Sequence, residues 1–367
     1  MKRRNWIVSA LSAPAVLSSA SSLATEPAPQ ARITVLFDAL CSDPNLIKDW
    51  GYAALVELNG RRILFDTGNN GETLAHNARA LGVDLSRLDM VVMSHRHGDH
   101  MGGMAHLLSV NPKVKIYAPK EGFGVYGGDL PGSFYRKSES LPPQRRYFDG
   151  KPPATLHFGS AWPGANIQLV DKTTELAPGV HLISLVSDKP GTLELRELSL
   201  ALSTPQGLVL VVGCSHPGIE RILEAATKID PRIHLIAGGL HMVVNKDEEI
   251  AGTINVLQNT YKVAYLAPGH CTGEPAFDAM SQAFNERYLY AGVGTRLSLG
   301  LKPQAQASAG SSAAQHAGLS EADRQSYREL SAANDQRRRS LFADLAPSGL
   351  PNGAYLGQLR RSMMACC

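Results

Sequence analysis

The sequence predicts a layered α/β fold, on three observations. Apolar runs of strand length recur along the chain, and helical stretches separate several of them. Several of the runs end in a glycine beside a histidine or an aspartate. Periodicity by itself does not separate one layered α/β architecture from another. The 367 residues suffice for one large domain or two ordinary ones. A formal net charge of +3 is small for this length and gives no case for a nucleic-acid partner or a strongly anionic surface partner. A small-molecule substrate is expected, and no oligomeric state follows.

Residues 1–30 read as a secretory signal and linker rather than part of the fold. Lys2, Arg3 and Arg4 form a basic start, and Trp6 to Leu23 is a mildly apolar, Ala/Ser-rich run. Ser22-Leu23-Ala24 offers small residues for cleavage, and Pro27 and Pro29 follow. The run is too short and too rich in Ser and Pro to span a membrane well, so export to the periplasm without stable insertion is expected. Arg3-Arg4 also permits a twin-arginine route, which carries folded proteins.

Arg32 to Phe37 reads as a strand ending at Asp38. Tyr52 to Leu58, Asn59-Gly60 and Arg61 to Phe65 read as a hairpin with an Asn-Gly turn. It ends in Asp66-Thr67-Gly68, a carboxylate in a loop over a sheet edge. Gly71 to Leu81 is helical, and Met90 to Met93 is a buried strand.

That strand delivers Ser94-His95-Arg96-His97-Gly98-Asp99-His100. At a strand end His95 and His97 share a face, while Asp99 and His100 sit in the following turn and reach a second point. Imidazoles and a carboxylate suit zinc and related ions, and the spacing suits two adjacent metals better than one. His106 lies on the helix beyond the motif and reads as a packing residue. Val114 to Ala118 is the next strand.

Residues 120–164 differ in character. They are rich in Gly, Pro and aromatics (Phe123, Tyr126, Phe134, Tyr135, Tyr147, Phe148, Trp162) and carry Arg136, Lys137, Arg145 and Arg146. Two readings stand: a lid with aromatic walls and cations for an anionic substrate, or a solvated insertion. Strands resume at Ile167 to Val170, Val180 to Val186, Leu198 to Ser203 and Leu208 to Val212. His157 and His181 lie in strand patterns without a second ligand nearby and read as structural.

Val211 to Ile219 is another strand-to-helix junction. It brings His216 to a sheet edge, with Pro217 expected to begin the helix. Ile233 to Ala237 ends in Gly238-Gly239-Leu240-His241, and Val263 to Ala267 ends in Pro268-Gly269-His270-Cys271-Thr272-Gly273. Three strands thus end close to a Gly and a His, which predicts convergence at one sheet edge. His241 leads into the polar Asn245-Lys246-Asp247 segment and is expected to be the freer of these histidines. The five cysteines (Cys41, Cys214, Cys271, Cys366, Cys367) are odd in number and irregularly spaced, which is not a disulfide framework. Cys214 and Cys271 lie beside candidate ligands; each faces the site or is a small buried apolar residue.

The His-x-His-x-Asp-His stretch resembles the signature of the metallo-β-lactamase-fold hydrolases. Gly-Cys-Ser-His-Pro-Gly from Gly213, Gly-Gly-Leu-His from Gly238, Gly-His-Cys-Thr-Gly from Gly269, Asp-Trp-Gly-Tyr from Asp49 and Glu197-Leu198-Ser199-Leu200 resemble one branch of that superfamily. The branch is named for dihydropterin ribofuranosylaminobenzene-phosphate synthase and otherwise consists of metal-dependent hydrolases. The resemblance covers 32–300. It implies a four-layer αββα sandwich, two sheets face to face with helices outside and the site at one edge. It also implies two divalent transition-metal ions, zinc foremost, and a metal-activated hydroxide attacking an ester, amide or phosphoester. His95, His97 and His216 would hold one ion, and Asp99, His100 and His270 the other, with Asp99 also orienting the hydroxide. Asp66 would stand behind the ligands and hold a His or Asp99 in place. His241 would be a ligand, or would hold substrate or a proton. Two departures accompany the resemblance. Most of the superfamily has a Pro-Gly-His-Thr turn where this chain has Ser187-Asp188-Lys189-Pro190, and a bridging Asp where it has Cys214. His216 is therefore taken as the third ligand, with a Cys214 thiolate as the lesser alternative.

Three functions follow in order: a metal-dependent hydrolase, a C–N bond-forming synthase like the one that names the branch, and a non-catalytic periplasmic binding protein. The export signal argues against an intracellular pterin pathway, and the intact ligand set against a mere binding protein. The catalytic domain is expected over 31–301. Residues 302–367 then form a tail, with an Ala/Ser/Gln-rich linker from Gln304 to Gly318 and a helix from Glu321 to about Leu345 capped by Ser320. Protein recovered from the periplasm should begin near Thr25 on N-terminal sequencing; an intact Met1 on exported or membrane-held protein would show an anchor instead.

Overall fold

In the computed structural model, residues 31–121 and 124–308 are described. The expected export segment, Phe123 and the expected tail helix lie outside the described residues. Among the described residues, no helix is long and apolar enough to cross a membrane.

The apolar runs become strands buried on both faces. In β1 (Arg32–Phe37), β2 (Ala53–Leu58) and β3 (Arg61–Phe65), Ile33, Val35, Ala54, Val56, Ile63 and Phe65 turn to one side. Leu36, Ala53, Leu55 and Leu64 turn to the other. The expected hairpin joins β2 to β3, with Leu58 paired to Arg61 and both turn residues at positive φ (Asn59 51°, Gly60 75°), as a tight turn between twisted strands requires. α1 (Gly71–Ala80) starts at Asn70, whose side-chain oxygen accepts the Thr73 N–H at 2.8 Å. It packs on the outer face of this sheet through Leu74 and Ala78. β4 (Met90–Val92) leads into α2 (Gly98–Met101) and α3 (Met104–Val110), and β5 (Lys115–Pro119) follows.

β6 (Gly128–Pro131) and β7 (Thr155–Phe158) pair only with each other and form a separate two-stranded arm. Its base is buried: Tyr126 stacks on Trp162 at 5.8 Å, and its hydroxyl donates to the His95 carbonyl at 2.8 Å. Its tip is solvated, with Tyr147 70% and Phe148 54% exposed. The two readings of 120–164 thus apply to different ends of the segment.

β8 (Asn166–Val170) completes the first sheet. The second contains β9 (Thr174–Ala177), β10 (Val180–Val186), β11 (Arg196–Thr204), β12 (Gly207–Val212), β13 (Ile233–Gly239) and β14 (Tyr265–Gly269). Its order is β14-β13-β12-β11-β10-β9. α4 (Ile219–Ala226), α5 (Asp247–Asn255) and α6 (Glu274–Phe284) cover its outer face. β15 (Arg296–Ser298) and β16 (Ala305–Gln306) extend the first sheet to the order β16-β15-β1-β2-β3-β4-β5-β8. Ala305–Gln306 therefore belongs to the sheet, although its composition suggested linker.

Three apolar clusters mark three interfaces. One lies between the sheets, one between the first sheet and α1 and α3, and one between the second sheet and α4, α5 and α6. This is the αββα sandwich. Within β12, Val209 and Val211 face the central interface, while Leu208, Leu210 and Val212 face the helices. β3–β4–β5 and β12–β13–β14 run parallel, so their carboxyl ends lie together at one edge. The Leu198 N–H donates to the Ser94 carbonyl at 2.8 Å and ties the two sheets together there.

One expectation is corrected. α4 begins at Ile219 with Gly218 at its N-cap, so Pro217 precedes the helix. Gly218 has φ 93°, a conformation that no L-residue adopts without strain, and it displaces the helix start past the proline.

Leu200 is fully buried between the sheets. Leu200→Ala should cost about 2–5 kcal/mol of unfolding free energy in denaturant titration. Leu193→Ala, at a residue 62% exposed, should change it by less than about 0.5 kcal/mol.

Candidate metal centre

Three buried carboxylates hold the strand ends that converge on this edge. Asp66, just after β3, accepts the Ser94 N–H on Oδ1 at 2.6 Å and the Ser94 hydroxyl on Oδ2 at 2.6 Å. The same Oδ2 lies 2.7 Å from His100 Nδ1. A proton on Nδ1 satisfies that contact and turns Nε2 of His100 towards the site. Glu197, on β11, accepts the N–H groups of Cys214 (2.9 Å) and Ser215 (2.8 Å) on Oε1 and of His216 (2.7 Å) on Oε2. Asp38 accepts the His270 N–H at 2.9 Å on Oδ2 and the Leu40 N–H at 2.9 Å on Oδ1. Burial pushes the Glu197 carboxyl up to about 7 against the pull of those three N–H groups. It pushes Asp38 up to about 6 against the pull of His270.

The side chains so placed form two adjoining groups. In the first, His97 Nδ1 lies 3.1 Å from His95 Nε2 and 3.2 Å from His216 Nε2. In the second, His100 Nε2 lies 3.1 Å from His270 Nε2, and Asp99 Oδ2 lies 3.3 Å from His270 Nε2 and 3.7 Å from His100 Nε2. The His95 and His100 rings are 4.2 Å apart, so the groups abut. Cys214 Sγ stands between them, 3.1 Å from His100 Nε2, and shares a ligand-sized cluster with His95 and His216 and another with His100 and His270.

Electrostatics separates the two groups. Burial, reinforced by neighbouring imidazoles, lowers His95 and His216 and takes His97 down to about 4 against the pull of Asp99. These rings are neutral, with lone pairs converging. In the second group burial opposes the charged form, yet Asp99 and Asp66 hold His100 up, and Cys271 and Asp99 hold His270 up. Burial also raises the Asp99 carboxyl, but His100 and His270 draw it down to about 2. Its Oδ2 is nevertheless a buried atom without a hydrogen-bond partner. The converging neutral nitrogens of the first group and the ionised Asp99 oxygen of the second fit a bound cation, and imidazole, carboxylate and thiol together fit a divalent transition metal.

All six expected ligands are brought together here, and Asp66 stands behind His100 as the resemblance implied. His241 lies beside the first group, its ring 4.2 Å from that of His216, and its Nε2 is buried without a partner. It is not the free residue its polar sequel suggested. The neighbouring Leu240 N–H donates to Thr272 Oγ1 at 3.1 Å and the Met242 N–H to the Cys271 carbonyl at 3.0 Å. His216 owes its fixed backbone to Glu197 rather than to a helix begun by Pro217. Ser187, in the segment that lacks the expected turn histidine, donates through Oγ to the His216 carbonyl at 3.1 Å. His106 packs beside Gly71 on α1. His157 lies 2.6 Å from Asp129 and His181 3.8 Å from Glu175, both as peripheral pairs.

Sequence reasoning missed the holding roles of Glu197 and Asp38, and missed Trp50, whose ring lies 5.2 Å from that of His270. The signal for Glu197 was an acidic residue opening an otherwise apolar strand; for Asp38 it was a strand-end carboxylate like Asp66. Gly213 also carries a requirement of its own, because a Cβ there would collide with the Ser94 side chain.

A two-sheet sandwich with this edge is the architecture of a metal-binding superfamily. Residues 51–270 match the Metallo-beta-lactamase superfamily, and the chain belongs to it. It is 30% identical over 265 residues to the 7,8-dihydropterin-6-methyl-4-(beta-D-ribofuranosyl)-aminobenzene-5'-phosphate synthase of Methanocaldococcus jannaschii, a match covering 65% of this chain and 85% of that protein. An uncharacterized protein of the same organism is 26% identical over 259 residues, covering 66% of this chain and 91% of its own. A solved metal-dependent hydrolase of the β-lactamase superfamily superposes with a TM-score of 0.54 at 26% identity, covering 73% of this chain and 99% of that one.

Glu197→Gln keeps one acceptor oxygen but sets an NH2 group against backbone N–H donors. It should cost about 1–3 kcal/mol in denaturant unfolding and lower the metal bound per chain in elemental analysis, although Glu197 itself is not a ligand. Unchanged stability and metal content would show that the Cys214–His216 backbone holds without it.

Proposed function

We propose that the protein is a metal-dependent hydrolase that cleaves an ester, amide or phosphoester bond of a small molecule at a centre for two divalent ions, zinc foremost. The observation that carries this reading is the convergence of five imidazoles, those of His95, His97, His100, His216 and His270, with the Asp99 carboxylate at one sheet edge. His95, His97 and His216 would hold one ion, and Asp99, His100 and His270 the other. When bound, such ions supply a nucleophile at neutral pH and stabilise the negative charge that develops on the substrate.

The remaining roles belong to the chain. Asp99, ionised, accepts a hydrogen bond from the attacking water and sets its direction. Asp66 holds His100 with Nε2 inward. His241 Nε2, buried and unpartnered beside His216, is placed to pass a proton to the leaving oxygen or nitrogen or to hold the substrate. Arg136, Lys137 and Arg145 on the arm favour an anionic substrate.

A second reading has its own support. The relative from Methanocaldococcus jannaschii is a synthase, and the match covers 85% of its length. Assays on metal-loaded and chelated protein separate the two readings. Metal-dependent release from a phosphoester, lactone or amide supports the hydrolase. Product formed only when a dihydropterin and a ribofuranosylaminobenzene phosphate are supplied together overturns it in favour of the synthase.

His216→Ala should lower both metal content and turnover. His241→Ala should leave metal nearly full and lower kcat by about 10²–10⁴-fold, as loss of an acid/base or orienting group does. Metal titration of both variants decides the assignment, and a site emptied by His241→Ala but not by His216→Ala would exchange the two roles.

A further inference from the structure

Two neighbouring rings at the edge of the metal centre each carry a buried nitrogen without a hydrogen-bond partner among the described residues. The nitrogens are Nε1 of Trp50 and Nδ1 of His270. The rings lie 5.2 Å apart, tilted by 55°. His270 presents Nε2 to His100 and Asp99, so the proton it keeps as a ligand sits on Nδ1. In two other histidines of the centre the chain itself partners that nitrogen. His95 Nδ1 lies 2.8 Å from the Ser94 hydroxyl, and His100 Nδ1 lies 2.7 Å from Asp66. His270 has an indole beside it instead, which brings a second donor and no acceptor.

The indole is fixed in place. The Trp50 backbone N–H donates to Asp49 Oδ1 at 2.7 Å, and the Asn70 amide donates to Asp49 Oδ2 at 3.2 Å. The Asp49 N–H donates to the Asp38 carbonyl at 3.1 Å, and the Tyr52 N–H to the Asp99 carbonyl at 3.3 Å. Gly51 lets the chain pass this close, because a Cβ there would collide with the Asp99 carbonyl oxygen. Asp49, Gly51 and Tyr52 thus serve the scaffold, and the Trp50 indole N–H has no such use. Trp50 as a whole is only half-buried, so part of its ring is open to a molecule entering the site.

We propose that Trp50 is a substrate-binding residue whose indole N–H, together with the Nδ1–H of His270, takes an oxygen of a phosphoryl or carboxyl group on the substrate. Two donors with no acceptor between them select an atom that has two lone pairs and negative charge. The contact anchors the substrate on the side of Asp99, His100 and His270. No bond is made or broken at Trp50. The proposal rests on the metal-centre reading above and adds to it the charged group by which the substrate is recognised.

The test uses the zinc-loaded full chain with its three tryptophans labelled at the indole nitrogen, and phenylphosphonate and benzoate as probes. Trp50→Phe assigns the Trp50 indole resonance by removing it, while keeping an aromatic ring beside His270. That resonance should move downfield on adding phenylphosphonate, benzoate or both; a shift with one alone tells a phosphoryl from a carboxyl group. Calorimetry on Trp50→Phe should show the probe bound about 10- to 100-fold more weakly, as loss of a hydrogen bond to a charged group does, with zinc per chain unchanged in elemental analysis. Binding with no shift of the Trp50 resonance, equal affinity in Trp50→Phe, or no binding of either probe overturns the proposal and leaves the metal centre standing. Loss of zinc from Trp50→Phe with unchanged affinity per loaded chain overturns it in favour of a purely structural role. Protein that takes up no zinc overturns both.

Discussion

The structure depends on a set of buried carboxylates that hold backbone N–H groups. Asp66 holds Ser94, Glu197 holds Cys214, Ser215 and His216, and Asp38 holds His270. Each candidate ligand segment therefore ends against an acceptor supplied by a neighbouring strand or loop. Loop residues at a sheet edge would otherwise carry unpaired donors in a dry interior. The carboxylates satisfy those donors and fix the positions from which the imidazoles project. Leaving a carboxylate in that interior is unfavourable in itself, as the upward displacement of Glu197 and Asp38 records. The ring of N–H donors offsets it.

The same edge stores backbone strain. Asp66, Ser215, His241 and His270 have φ of 57°, 65°, 51° and 47°. Non-glycine residues in this region each cost about 1–3 kcal/mol and persist where the surroundings over-determine them. Here the surroundings are the acid–N–H bonds and the close approach of Gly213 to Ser94. Buried donors and acceptors meet at this edge, while other non-glycine residues at positive φ, Asn59, Lys262 and Asn285 among them, lie in connections elsewhere. The sandwich interior supplies the stability, and the edge uses part of it to hold ligands in a geometry the backbone alone would not choose.

The arm repeats this division on a larger scale. Its base is bound to the site through the Tyr126 hydroxyl on the His95 carbonyl and through the Tyr126–Trp162 stack. Its tip has an aromatic surface open to water and carries Arg136, Lys137 and Arg145. Arg146 is already engaged with Glu139. One end thus packs against the candidate site and the other faces solvent.

Much of this was legible in the chain itself. The β2–β3 hairpin follows from Asn59-Gly60, the strands from continuous apolar runs, and the six candidate ligands from histidines and an aspartate at strand ends, all signals that act over a few residues. The tertiary structure alone decided what depends on distant partners. Glu197 reaches Cys214–His216 across 17 to 19 positions, and Asp38 reaches His270 across 232. Neither pairing has a local signature, because a hydrogen bond between distant segments records only the fold that brings them together. The same holds for Ala305–Gln306, whose composition reads as linker but whose backbone finds a free sheet edge, and for His241, pinned by partners thirty positions away rather than freed by its polar sequel. It holds too for the position of Cys214 beside His95, His100, His216 and His270, which no local pattern in the sequence records.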